Sequence, residues 1–327
     1  MSAKPVASLS LDLDNKWSYM KVRGDERWQT FPTYLPVVVP RILDVLAKRD
    51  LRITFFIVGQ DAARAENRKA LAMIAAEGHE IANHSFHHEP WLHLYQPEQL
   101  EAEIAQAEAA IKDATGRRTL GFRGPGYSYS PTLLRILAKR GYEYDCSTFP
   151  TYLGPLARLY YFMTSGISGK ERKQRDLLFG SWRNGLLPLK PYLWKGLERD
   201  LLEIPVTTMP LFKVPIHPSY ILYLSRFSPA LGMAYYRLGI GLARLTGVQP
   251  SILLHPLDFL GSDDGLDELK FFPAMDMPAA SKVAIVDRMI ELLANDFRVL
   301  TMSGHAREAM SAGPLPAAQL AEGPGAN

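Results

Sequence analysis

The chain carries a single cysteine, Cys146, in 327 residues. That excludes an internal disulfide framework and suits a reducing compartment. Net charge is also scarce: 37 Lys and Arg against 34 Asp and Glu leave +3, too little by itself to mark a nucleic-acid protein. No run of about 18 uninterrupted apolar residues occurs, so no membrane-spanning helix is expected. MSAKP leads directly into VASLSLDLDN, which lacks the long apolar stretch of an export signal, and a cytoplasmic protein is the expectation. No internal repeat is present. What is there is ordinary for a soluble globular chain: 47% apolar, 22% charged, mean hydropathy -0.08. A mass of 36.6 kDa suffices for a sizeable core.

The first half alternates strand-like and helix-like segments. Strand signals lie at Val6–Leu13, Arg52–Val58, His79–Ala82, Thr119–Phe122 and Tyr142–Asp145. Helical patterns fall between them at Leu35–Lys48, Asp61–Ala76, Pro97–Ala114 and Pro131–Arg140. Pro97 and Pro131 sit in first turns, and Gly78 and Gly116 follow helix ends, which is the expected start and stop chemistry. Such alternation predicts parallel βα units, hence an α/β sheet or barrel. The rhythm breaks over residues 151–200, where nine basic residues face four acids and aromatics such as Trp182 and Trp194 collect. It resumes with a strand at Leu202–Thr207, a helix around Ala230–Leu245, a strand at Pro250–His255, a helix at Ala279–Asn295 and a strand at Phe297–Leu300. The simplest account is one domain over residues 1–312 with an insertion at 151–200, then a flexible tail at 313–327 rich in Pro and Gly.

Four polar clusters stand at predicted strand ends. NHSFHHEPWLH, residues 83–93, places His84 and His88 four apart, a spacing that can converge on one metal ion from a helix turn or compact loop. His79, His87 and His93 are expected to be structural. In LSLDLDN, residues 9–15, Asp12 and Asp14 are two apart and point to one side of a strand; two such carboxylates repel unless a cation or proton compensates them. The bland alternative is that they cap a turn with Asn15. In GFRGPGY, residues 121–127, Arg123 ends an apolar strand, where a guanidinium needs a carboxylate partner or solvent. Gly124, Pro125 and Gly126 make a tight turn whose amides could face a ligand. SILLHPLDF, residues 251–259, delivers His255 at the end of a buried strand, as a site residue or as a satisfied core histidine.

Taken together these clusters resemble the polysaccharide deacetylase family, the NodB-like carbohydrate esterase group. Ser10-Leu11-Asp12-Leu13-Asp14 approximates T-F-D-D-G, and His84-Ser85-Phe86-His87-His88 matches H-[ST]-x-x-H. Arg123-Gly124-Pro125-Gly126 corresponds to R-x-P-[YF], and Leu253-Leu254-His255 to L-x-H. The four motifs occur in family order over roughly residues 6–256. The resemblance implies a distorted (β/α)7 TIM-like barrel with a divalent metal, usually zinc, in its mouth. Asp14, His84 and His88 would bind the metal, Asp12 would be the base that activates the attacking water, and Arg123 would keep Asp12 ionised. An amide near Gly126 or Tyr127 would stabilise the oxyanion, and protonated His255 would donate to the leaving amine. The sequence departs from the family where Leu13 separates the two aspartates and where Gly126 replaces the aromatic of the third motif, with Tyr127 one place on. No D-x-x-D-W motif occurs, so the partner of the acid histidine falls to Asp145 or Glu203, and Asp258 could orient His255 or cap a turn.

The implied activity is removal of an acetyl or formyl group from an amino sugar by a metal-dependent hydrolase acting on a non-peptide C–N bond. A cytosolic location points to a nucleotide-linked or polyprenyl-linked glycan precursor. The 151–200 stretch could then rest on the inner membrane face, or be a solvated lid. Other readings are a cyclic ureide or imide hydrolase of the same superfamily, a non-catalytic sugar-binding relative, and an iron oxygenase, whose metal also suits two histidines and one carboxylate. The last leaves Asp12, Arg123 and His255 without roles. No nucleic-acid partner is expected.

Overall fold

The computed structural model describes residues 4–154 and 182–320. Strand β1 (Val6–Asp12) is buried along its whole length, and its pleat sends alternate side chains to opposite faces. Ala7, Leu9 and Leu11 join the main apolar cluster, packed with Val38, Ile42 and Leu46 of α2 (α1 is Lys16–Arg23, α2 Leu35–Ala47). Ser8, Ser10 and Asp12 face the other way, where Ser8 meets His305 and the other two meet Arg123.

The remaining strands are β2 (Thr54–Ile57), β3 (Glu80–Asn83), β4 (Gly121–Phe122), β5 (Tyr144–Asp145), β6 (Tyr192–Lys195), β7 (Leu201–Glu203), β8 (Ser251–Leu254), β9 (Arg298–Leu300) and β10 (Ala317–Gln319). Seven run parallel in the order β8-β1-β2-β3-β4-β5-β7. The two edges of this series meet just beyond β7: the Thr207 amide donates to Ser251 O at 3.1 Å, and the Ser251 amide returns a bond to Thr207 Oγ1 at 2.5 Å. The seven strands therefore curl into the expected distorted barrel, joined at one seam by the Thr207–Ser251 pair. Inside lie Phe56, Ala82, Tyr144, Cys146, Leu202 and Ile204, sealed by Met302 and Ala306 of α10 (Met302–Ser311).

Outside pack α3 (Gly59–Ala62), α4 (Arg68–Ala76), α5 (Pro97–Thr115), α6 (Pro131–Arg140), α7 (Pro218–Ser225), α8 (Pro229–Thr246) and α9 (Ala279–Asp296). Helices at Lys16–Arg23, Pro218–Ser225 and Met302–Ser311 were not expected from the sequence, and three of its expectations need correction. The continuous helix predicted at Asp61–Ala76 is broken into α3, a 3-10 turn at Ala65–Asn67, and α4. Buried Asp61 causes the break: its carboxylate accepts from Asn15, Trp17 and Asn67, and Asn67 also bonds its carbonyl. Second, the stretch read as an insertion contributes β6, antiparallel to β7, although residues 155–181 lie outside the described residues. Third, the tail expected to be flexible from 313 adds β10 alongside β6, held by Ala318 and Leu320 packing on Tyr192 and Trp194; residues 321–327 lie outside the described residues.

Candidate active site at the barrel mouth

The C-terminal ends of parallel strands are where loops present functional side chains, and the four polar clusters all arrive there. Asp12 ends β1, His84 follows β3, Arg123 follows β4, and His255 follows β8. The His84–His88 segment is a compact loop, not a helix. Ser85 and His88 both adopt left-handed backbone, with φ of 62° and 54°, which non-glycine residues rarely do. Asn83 Oδ1 accepts the Ser85 amide at 2.8 Å, and the carbonyls of Ser85 and Phe86 accept amides from Gly59 and Gln60. These bonds hold the loop in a conformation that turns both imidazoles toward β1.

There His88 Nε2 lies 2.9 Å from Asp14 Oδ1, and His84 Nε2 lies 3.4 Å from the same oxygen and 3.8 Å from Asp12 Oδ2. His84 Nδ1 is 2.7 Å from Arg123 O. A carbonyl only accepts, so Nδ1 carries the hydrogen and the Nε2 lone pair faces two carboxylates. That arrangement requires a cation or a proton between them. One donor atom each from Asp14, His84 and His88 lies within 4.8 Å of the others, and two imidazoles with one carboxylate are a fitting set for zinc or another divalent metal with open positions. The residues present therefore fit the implied metal.

Arg123 is fully buried. Its Nη1 donates to Asp12 Oδ1 at 2.6 Å and to Ser10 Oγ at 3.0 Å, its Nε to Cys146 O at 3.2 Å, and its plane lies 4.1 Å over the Phe56 ring. Burial works to raise the Asp14 carboxyl, yet His88, His84 and His255 hold it well below the usual carboxylate range. Burial disfavours a charged His84, but Asp12 and Asp14 raise its pKa.

His255 Nε2 stands 3.9 Å from Asp14 Oδ2. Its backbone amide donates to Asp258 Oδ2 at 2.8 Å, so Asp258 fixes the start of the turn carrying the imidazole. The expected pairing of His255 with Asp145 or Glu203 is not found. Those two carboxyls sit side by side at the ends of β5 and β7. Asp145 accepts from Ser147, Glu203 from Thr148 and Trp194. Burial and the neighbouring Glu203 push the Asp145 carboxyl well up. Ser147 Oγ in turn accepts the Gly124 amide at 2.8 Å, so Asp145 supports the turn that follows Arg123. Of the two expected oxyanion donors, the Tyr127 amide is engaged with Gly124 O at 3.0 Å, whereas the exposed Gly126 amide has no protein acceptor among the described residues. The Tyr127 ring stacks on Phe149 at 4.6 Å.

His79, His87 and His93 point elsewhere. They engage the Ile53 amide, Glu103 and Ser128 respectively. Sequence reasoning missed His217, whose ring lies 4.9 Å from that of His255. Its Nδ1 accepts the Ser219 amide at the start of α7, and burial, then His255 and Arg123, pull its pKa well down. Its only sequence signal is His-Pro-Ser, a helix-start pattern. Tyr34, also missed, donates to the Asp14 carbonyl at 2.6 Å.

The polysaccharide deacetylase family profile matches residues 21–144. A Helicobacter pylori peptidoglycan deacetylase is 28% identical over 169 residues, 52% of each chain. A Sinorhizobium fredii chitooligosaccharide deacetylase is 34% identical over 108 residues, 32% of this chain and 48% of its own. Over residues 21–144 this chain is similar to the polysaccharide deacetylases. The family match includes His84, His88 and Arg123 but neither Asp12 and Asp14 nor His255, and the chain spans about half the length of these curated relatives. A solved structure of a candidate polysaccharide deacetylase from Mycobacterium smegmatis shares the fold over 96% of this chain and 97% of its own (TM-score 0.61, 18% identity). An allantoinase shares it over 95% and 92% (TM-score 0.55, 17% identity).

Proposed function

We propose that this protein is a metal-dependent amidase that removes an acetyl or formyl group from the nitrogen of an amino sugar. The observation that carries this reading is the Arg123–Asp12 pair set against the Asp14, His84 and His88 donors with His255 on the far side. Zinc held there would acidify a water and polarise the acyl oxygen. Asp12, held in place by the Arg123 guanidinium, takes the proton from the attacking water. The Gly126 amide, which has no protein acceptor among the described residues, would serve as a hydrogen-bond donor for the developing oxyanion, a contact worth about 3–4 kcal/mol by oxyanion-hole precedent. His255, braced by Asp258, supplies the proton that the leaving amine needs.

The names of the curated relatives support an N-acetylated sugar polymer or a fragment of one as the substrate class. The reading extends to a nucleotide-linked or polyprenyl-linked precursor met in the cytoplasm, with residues 151–200 resting against the inner membrane face. In the described part of that stretch, exposed Trp182 and Leu186 support this. The test is acyl release. Zinc-loaded protein should liberate acetate or formate from N-acyl hexosamine oligosaccharides and leave allantoin intact. Opening of allantoin without acyl release would favour the cyclic amide reading, and neither reaction with retained sugar binding would favour a non-catalytic relative.

A further inference from the structure

From Ile204 to Leu257 the chain has no Asp or Glu, while it carries Lys213, Arg226, Arg237 and Arg244. This segment holds α7 and α8, and its outer face is apolar. Helix α8 buries Met233, Tyr236, Gly239, Ile240 and Ala243. On the opposite side it exposes Leu231, Leu238 and Leu245, the last 82% accessible, with Arg237 and Arg244 between them. A surface helix ordinarily places its charged residues of both signs there and its leucines inside. On α7, Tyr220 and Tyr223 are exposed, and Phe227 just beyond is 71% accessible, a spacing that keeps all three on one side.

The turn before α7 has the same character. Met209 and Val214 close it by a 2.7 Å backbone bond, and its tip shows Leu211 and Phe212 to solvent, 73% and 62% accessible. Leu211 adopts φ 72° and Lys213 φ 51°, conformations unfavourable for residues with side chains. Lys213 anchors the turn by donating to Gly185 O and Leu187 O. The root of the turn lies against the middle of α8, where Tyr235 donates to Pro215 O at 2.7 Å. Arg226 and Arg244 have acidic neighbours in Asp276 and Asp296, whereas Arg237 has none among the described residues.

We infer that the Met209–Val214 turn and the outer faces of α7 and α8 form a docking surface for a lipid bilayer bearing anionic headgroups. Leucine and phenylalanine side chains suit the acyl boundary, tyrosines the interface, and Arg237, which has no carboxylate neighbour among the described residues, the phosphates. The surface begins at the mouth, because His217 both caps α7 and packs on His255. The inference deepens the amidase reading by bringing a membrane-borne amino sugar to the site. It is measured by binding, so either can fail alone.

The experiment is cosedimentation of the full chain with phosphatidylglycerol–phosphatidylcholine vesicles and with phosphatidylcholine alone. Binding should favour the anionic vesicles and weaken as salt rises. The triple variant Arg237→Glu, Leu238→Ser, Leu245→Ser changes only exposed positions. It should retain the circular dichroism spectrum and the hydrolysis of soluble substrate, while vesicle partitioning falls about tenfold or more. No wild-type preference for anionic vesicles, or equal binding by the variant, overturns the inference. So does a wild-type dimer seen by light scattering that the variant abolishes without a change in vesicle binding, since a second copy would then cover the face.

Discussion

The guanidinium of Arg123 is enclosed by protein, and one of its nitrogens, Nη2, has no hydrogen-bond partner. Burying an ion pair rarely adds stability by itself, so its position is better explained by what it does to Asp12. Asp12→Asn should therefore retain metal, measured by elemental analysis, yet lose turnover by about a thousandfold or more. His84→Ala should lose both, because it removes a donor. Asp61 gives a different kind of prediction. Burial raises its carboxyl to about 7, so the folded state holds a proton that the unfolded chain releases near pH 4. Its effect is thus a stability loss that grows as pH rises from about 4 toward 7 and is complete above. Asp61→Asn should shrink the fall in melting temperature between pH 5 and pH 8, and an unchanged fall would remove Asp61 as its source. At this scale the sequence showed the residues that end strands, since Asp12, His84, Arg123 and His255 each interrupt an apolar run. It did not show Asp61 or His217, because a buried acid on a helix pattern and a histidine before proline read as ordinary surface and cap.

The turn from Arg123 to Ser128 is an element in which backbone geometry decides function. A methyl group at Gly124 would stand 1.9 Å from Ser128 O, so Gly124→Ala must push the turn open. It should destabilise the protein by about 1–3 kcal/mol and reduce acyl release more than substrate binding, read as kcat against KM. Helix α10 is a second such element, sealing the barrel floor through His305, which pairs with Ser8 and Gln249. Burial lowers the His305 pKa to about 4. The neutral ring's contribution is full above the unfolded value near 6.5 and is lost as pH falls toward 4, about 2 kcal/mol between pH 6.5 and 5. His305→Gln, neutral throughout, should flatten the loss of stability over that range. The main strands and α2, α5, α6 and α9 were legible because period-2 and period-3.6 patterns are local. β6, β10 and α10 were not: β10 is an edge strand made by pairing with distant β6, β6 lies in a stretch whose many basic and aromatic residues break the alternating pattern, and α10 is short with few apolar positions.

The molecule's architecture explains why one site draws on residues 12 to 255. Parallel strands put every C-terminal end at the same rim, and β8, which precedes His255 and pairs along its length with β1, is tied to the opposite edge of the series by the Thr207–Ser251 seam. The motif order implied this gathering, but the seam and the loop strain at Ser85 and His88 emerge only from tertiary contacts. A cation at the rim would tie β1 to the loop after β3, relieving the repulsion between Asp12 and Asp14 in the folded state alone. Zinc present at about a hundredfold over its dissociation constant should then add about 2.7 kcal/mol of stability. For a chain of this length that is a rise of about 4 °C in melting temperature, reversed by a chelator. The rise should vanish in His84→Ala and persist in Asp12→Asn, because only the former removes a donor. A shift that survives His84→Ala would place the cation elsewhere on the protein and separate metal binding from the proposed chemistry.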